Sequence, residues 1–293
     1  MTGGGSFDLV LDDGRRLEGW AGAGTSAEAV LLHVGTPSAG VPFEPWVAAT
    51  ARRGLRFVTY SRPGYAWSAR QTGRSVADCA SDVAAIAGAL GLERLQVVGW
   101  SGGGPHALAC AALLPGLVRS AATIAGVAPW GSAGLDWLDG MAEENRKEFG
   151  AALQGSAALE SFLETASQGM HEQRADTIVD ALGGLVTEVD RRALDGPLAG
   201  YLATSLNQAL STGIWGWHDD DLAFARDWGF PLERISVPVA VWQGRRDAMV
   251  PYAHGAWLGE QVPGARARLF EDEGHLSLTL RFDEIVDELV GTI

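Results

Sequence analysis

Gly99-Trp100-Ser101-Gly102-Gly103 sets a serine hydroxyl in a Gly-x-Ser-x-Gly frame. The apolar run Leu95–Val98 precedes it, and a helix-compatible run, Pro105 to Leu114, follows. Strand, sharp turn and helix in that order form an elbow that lifts the serine above a sheet, at the N-terminus of a helix. So tight a turn leaves almost no room for side chains on either side, and Gly99 and Gly103 meet that need. A serine hydroxyl has too high a pKa to attack a carbonyl unaided. It needs a base within hydrogen-bond reach, and the base needs an acid to hold its tautomer. Both occur downstream. The run Val237–Gln243 leads into Gly244-Arg245-Arg246-Asp247, and the run Ala267–Phe270 leads into Glu271-Asp272-Glu273-Gly274-His275. The expected roles are Ser101 as nucleophile, His275 as base and then acid, and Asp247 as its orienting carboxylate. Asp272 and Glu273 lie too close to His275 in sequence for that last role.

Three groups from distant parts of the chain can meet only if a sheet brings their strand ends together. Phe7–Leu11, the turn Asp12-Asp13-Gly14 and Arg15–Trp20 read as a hairpin, because Asp-Gly between alternating apolar residues is a strong turn signal. Strands and helices then alternate: strand Val30–Val34, helix Phe43–Arg53, strand Phe57–Tyr60, helix Val76–Leu90 capped by Ser75, strand Leu95–Val98, helix Pro105–Leu114 and strand Val118–Ala125. This alternation predicts a doubly wound, mostly parallel α/β sheet with the hairpin at its edge. In such sheets ligands bind at the carboxyl ends of the strands, where all three candidates fall.

From Pro129 to about Ile235 the pattern changes to helical spacing, as in Leu159, Phe162, Leu163 and Ala166, or Ile178, Val179 and Leu182. The domain reading is a core of residues 1–128 and 237–293 with a helical cap inserted at 129–236. The chain carries a net charge of −14, and the cap segment alone holds 18 acidic and 7 basic residues. An acidic surface repels phosphate backbones, which argues against nucleic-acid partners. No apolar run approaches the ~20 residues that a membrane span needs. The N-terminal residues 1–6 show neither basic nor apolar signal-peptide regions, and Gly3-Gly4-Gly5 read as a disordered tail. A cytoplasmic location is the expectation, and the oligomeric state, monomer or homodimer, is left open. Cys79 and Cys110 read as reduced core residues in alanine-rich helices. No sequence spacing suggests metal ligands, and no Gly-x-Gly-x-x-Gly follows an early strand, so no cofactor is expected.

Taken together, the elbow, Gly244-x-x-Asp247-x-x-Val250-Pro251 and Gly274-His275 resemble the α/β-hydrolase fold serine hydrolases over nearly the whole chain. Gly35-Thr36-Pro37 and Ser61-Arg62-Pro63-Gly64-Tyr65 are similar to that family's oxyanion loop and Arg-Pro-Gly-Tyr turn. The resemblance implies an oxyanion hole made by the backbone N–H groups of Thr36 and Gly102. One departure stands out: the family loop often reads His-Gly-x-Pro, whereas here Val34 separates His33 from Gly35. His33, His106 and Arg62 are expected to be structural, Arg62 by holding its loop. Trp100, Trp130, Trp137, Trp215 and Trp217, with Trp228, Met141 and Phe149, are candidates for lining a large apolar pocket, though each also suits core packing.

A serine at the elbow points to acyl transfer with water as acceptor. The leading expectation is a carboxylic-ester hydrolase acting on a small to medium, largely apolar molecule. Alternatives on the same triad are a proline iminopeptidase-like aminopeptidase, a carbon–carbon bond hydrolase and a cofactor-free perhydrolase. The aminopeptidase lacks support from the loop Gly35-Thr36-Pro37-Ser38, which departs from His-Gly-Gly-Pro-Gly. A non-catalytic ligand-binding protein on the same fold is the alternative from a different class.

Overall fold

The computed structural model describes residues 3–291. The chain opens with the hairpin β1 (Gly4–Val10) and β2 (Arg16–Gly22), turned at Gly14 with φ 85°. β3 (Glu28–His33), α1 (Glu44–Ala51), β4 (Arg56–Tyr60), α2 (Cys79–Leu90), β5 (Arg94–Trp100), α3 (Gly103–Leu113) and β6 (Val118–Ile124) follow as the alternation predicts. Six helices come next: α4 (Glu143–Gln154), α5 (Ser156–Ser167), α6 (Ile178–Leu182), α7 (Glu188–Ala193), α8 (Pro197–Ala209) and α9 (Trp215–Phe224). β7 (Val239–Gly244), α10 (Tyr252–Gln261), β8 (Arg266–Phe270) and α11 (Phe282–Gly291) complete the chain. No strand occurs between β6 and β7 among the described residues.

All eight strands form one sheet in the order β1-β2-β4-β3-β5-β6-β7-β8, parallel from β4 to β8. Parallel strands are covered on both faces and so read as continuous apolar runs, as Leu95–Val98 does. Alternate residues feed opposite layers: Val30, Leu32 and Val98 pack on one side, Ala29, Leu31 and Val97 on the other. After β3 the chain first steps to β4 and then crosses back to β5 on the other flank. The switch point therefore lies between β3 and β5, whose ends pair as His33 with Gly99. A crevice opens where the winding reverses.

The glycine tail is corrected. Gly4 and Gly5 belong to β1, paired with Gly22 and Ala21. The Trp20 ring lies over Gly4, where a Cβ would sit 2.3 Å from it, so glycine here admits an aromatic neighbour rather than marking disorder. Residues 1 and 2 lie outside the described residues. Ser75 caps a short 3-10 turn, Val76–Asp78, that leads into α2 at Cys79, so the helix starts three residues later than expected; Asp78 Oδ2 accepts the Ser75 N–H at 2.6 Å. No helix is long and apolar enough to cross a membrane among the described residues.

Candidate functional site

Ser101 follows β5 directly and holds φ 54°, the left-handed conformation that an elbow forces on its serine. The elbow closes on glycine. A Cβ on Gly99 would meet the Gly103 carbonyl oxygen at 2.2 Å, and one on Gly103 would meet the His33 carbonyl oxygen at 2.0 Å. From the neighbouring strand β3 comes Val34-Gly35-Thr36, and Gly35 faces Ser101 so closely that an added Cβ would lie 3.3 Å from the serine Cβ. Thr36 and Gly102 stand face to face, with 2.4 Å between a hypothetical Gly102 Cβ and Thr36 Oγ1. Neither of their backbone amides has a protein acceptor among the described residues.

Asp247, after β7, and His275, after β8, meet: His275 Nδ1 lies 2.8 Å from Asp247 Oδ2. The other Asp247 oxygen accepts the N–H groups of Met249 and Val250, each at 2.8 Å, while Gln243 Nε2 donates to Oδ2 at 3.1 Å. His275 is 1 % exposed. Burial alone would lower its pKa, but the charge and hydrogen bond of Asp247, then the charge of Asp190, outweigh burial and raise it above the usual histidine value. Ser101 and His275 border one cavity of about 400 Å³ without a hydrogen bond between them. Catalytic contacts are often long in empty sites and tighten with substrate.

Two acids of the helical insertion, neither evident in the sequence, hold this arrangement. Asp190 of α7 is fully buried and accepts the N–H groups of His275 at 3.1 Å, Leu276 at 2.7 Å and Ser277 at 3.0 Å. Asp220 of α9 accepts the Thr36 hydroxyl at 2.7 Å and the Tyr65 hydroxyl at 2.9 Å, and pairs with Arg62 and Arg74 at 2.6 and 2.7 Å. Burial would raise the Asp220 pKa, yet the two arginines bring it far below the carboxylate range. Arg62 also donates to the carbonyls of Val34 and Gly35 and to Thr36 Oγ1. It therefore holds the β3 loop as well as its own. The run Asp219-Asp220-Asp221 inside an otherwise apolar segment was the one available signal.

His106 and His33 are both buried and neither borders the cavity. His106 Nδ1 lies 2.9 Å from the Gly102 carbonyl, and burial, followed by the Arg62 charge, brings its pKa down to about 3. Cys79 and Cys110 are free and buried. Although their spacing suggests no metal motif, the fold brings both within 4.8 Å of a His33 ring nitrogen. Burial pushes the Cys79 thiol well up, which disfavours the thiolate a metal would need.

The pocket expectations divide. Trp100 and Trp217 line the cavity, with Phe149. Trp130, Trp137 and Trp215 do not. Trp137 is packed between Phe149, His254 and Trp130, its Nε1 bonded to the Ala128 carbonyl at 2.7 Å. Trp215 instead stacks under Arg70, 3.9 Å from its centroid. Helical periodicity cannot tell an inward face from a core-filling one. Trp228 and Met141 are likewise core. The remaining walls are largely apolar, including Phe162, Met170, Ile178, Leu182, Leu202 and Phe224.

The family model described as "alpha/beta hydrolase fold" matches residues 28–281. The chain is 24% identical over 277 residues to a pimeloyl-[acyl-carrier protein] methyl ester esterase of Aliivibrio salmonicida, covering 92% of this chain and 93% of that protein. It is 29% identical over 272 residues to a non-heme chloroperoxidase of Streptomyces lividans, covering 90% and 91%. An esterase from Exiguobacterium antarcticum shares the fold with a TM-score of 0.68 at 20% identity, over 97% of this chain and 98% of that one.

Proposed function

The chain belongs to the alpha/beta hydrolase fold family and is a hydrolase, and we propose that it cleaves carboxylic esters of small to medium, largely apolar molecules through an acyl-enzyme on Ser101. The observation that carries this reading is the meeting of three features at one cavity: a strained serine, an Asp247–His275 pair at 2.8 Å, and two unengaged amides on Thr36 and Gly102.

In this reading His275 Nε2 takes the Ser101 proton as Oγ attacks the ester carbonyl. Asp247 keeps the proton of Nδ1 in place and stabilises the imidazolium. The Thr36 and Gly102 amides receive the negative charge of the tetrahedral intermediate, each worth roughly 3 kcal/mol of transition-state stabilisation. His275 then protonates the leaving alcohol, and water repeats the sequence to free the acid. The helical insertion roofs the cavity and keeps the reaction apolar, which strengthens these charge contacts.

The test is hydrolysis of a series of p-nitrophenyl esters by wild type and Ser101→Ala, with fluorophosphonate labelling of both. Turnover and labelling that need Ser101 support the reading, and the preferred chain length sizes the cavity. Absence of Ser101-dependent turnover on every ester would sink it. The chloroperoxidase relative favours a second reading, perhydrolysis, in which hydrogen peroxide takes the acyl group in place of water. Peracid formation from the same acyl-enzyme distinguishes the two.

A further inference from the structure

The helical insertion carries a second serine, histidine and aspartate in hydrogen-bonded order. Ser156 Oγ lies 3.0 Å from His218 Nε2, and His218 Nδ1 lies 2.9 Å from Asp219 Oδ1. Two elements supply the three: Ser156 is the first residue of α5, while His218 and Asp219 are neighbours on α9. Gly155, with φ 115°, turns the chain between α4 and α5 in a conformation that favours glycine, and Ser156 follows directly. His218 is 2 % and Asp219 3 % exposed, whereas Ser156 is open to solvent. None of the three borders the cavity of Ser101.

The tautomer of His218 follows from its partners. A bare lone pair on Nδ1 would be repelled by a carboxylate oxygen at 2.9 Å, so Nδ1 carries a proton and donates it to Asp219. Arg70 holds Asp219 through both oxygens, each at 2.8 Å, which fixes the direction of the carboxylate. Arg70 Nη2 stands farther from His218 Nδ1, at 3.5 Å. The neutral ring therefore turns an unprotonated Nε2 to the Ser156 hydroxyl, the arrangement in which a histidine draws off a serine proton. Once protonated, Nε2 finds a second acceptor in the Ser156 carbonyl at 3.3 Å.

We propose that Ser156 is a second nucleophile, and that activated acyl donors such as aryl esters acylate it at the surface of the insertion. His218 Nε2 takes the Ser156 proton as Oγ bonds to the acyl carbon. The bond from that carbon to the aryl oxygen then breaks, and the proton goes to the departing phenol oxygen. Asp219 keeps the Nδ1 proton in place throughout. The products are a serine ester and a phenol, with no further reactant. A phenol leaves easily and a serine alkoxide does not, so the acyl group accumulates on Ser156 rather than turning over. The site goes beyond the reading of Ser101 and does not depend on it.

The experiment treats Ser101→Ala protein with p-nitrophenyl acetate and locates the acetyl groups by site-resolving tandem mass spectrometry over time. Ser161 is the internal control: it is exposed on the same helix, and no histidine contacts its hydroxyl among the described residues. Ser156 should be acetylated about 100-fold faster than Ser161 or more, the smallest gain that a positioned general base typically gives. Adding His218→Gln should bring Ser156 down to the rate of Ser161, and adding Ser156→Ala should remove the matching release of p-nitrophenolate. Equal acetylation of the two serines overturns the proposal and leaves the hydrogen-bonded trio a brace between α5 and α9. Fast acetylation that survives His218→Gln overturns it as well. Should His218→Gln fail to fold, the ratio of Ser156 to Ser161 within the Ser101→Ala protein decides the matter. Every protein tested lacks Ser101, so neither result bears on the ester reading.

Discussion

Asp190 Oδ2, carried by α7 of the helical insertion, accepts the backbone N–H of His275 at 3.1 Å. The cap thereby reaches past the cavity and grips the loop that presents the candidate base. A carboxylate with three backbone donors at a loop turn acts as a helix N-cap does, supplied here from a distant part of the chain, and fixes the loop by charge-assisted bonds.

Replacing Asp190 by Asn removes the charge and sets an amide against N–H groups. Stability should fall by roughly 3 kcal/mol, since hydrogen bonds to a charged group contribute about 1.5–3 kcal/mol each and their donors are left buried. Because Asp190 also helps to raise the His275 pKa, the acid limb of kcat/KM should move to lower pH in Asp190→Asn. Chemical denaturation and a pH–rate profile measure the two effects, and an unmoved limb would restrict Asp190 to a structural role.

The pH profile of wild type follows from the same shift. His275 must be neutral to accept the serine proton, and its pKa is raised, so kcat/KM should climb through an inflection above the ordinary value of about 6.5. Asp247→Asn removes the largest raising influence, so the inflection should fall. It should also cut kcat by about 10⁴-fold through the wrong tautomer. For stability the sign is opposite in sense: the contribution of protonated His275 is complete below about 6.5 and lost as pH rises through its folded-state value.

Gly102→Ala tests the oxyanion pair. The new Cβ would lie 2.4 Å from Thr36 Oγ1, so the two loops must part. Loss of one donor typically costs 10²–10³-fold, and kcat should fall by about that factor with KM changed little. Steady-state kinetics on a p-nitrophenyl ester reads the split.

Asp220→Asn leaves Arg62 and Arg74 buried without their shared partner. Breaking a buried pair by removing one member costs roughly 3–5 kcal/mol, so the variant should unfold at markedly lower denaturant. An unchanged midpoint would show that the loop of Thr36 is held by other contacts.

Much of this molecule was legible in its residues. Continuous apolar runs, Asp-Gly at the hairpin and glycines at the elbow all act through local sterics, so strand, turn and helix follow from neighbours in sequence. The order of Ser101, Asp247 and His275 after three strands placed all three candidates on one edge, because parallel strands share a direction. Helical spacing separated the insertion from the sheet for the same local reason. The errors have a common cause. Gly4 and Gly5 join β1 by pairing with Gly22 and Ala21, with the Trp20 ring over Gly4, and Trp137 and Trp215 sit away from the cavity against His254 and Arg70 from distant parts of the chain, while Trp130 packs on Trp137 near the surface. Periodicity defines a helical face but not what that face meets. What only the tertiary structure decided is which acids matter: Asp190 on the His275 loop and Asp220 on Thr36. A carboxylate's role depends on which donors and charges surround it once water is excluded, and those neighbours come from residues far away along the chain.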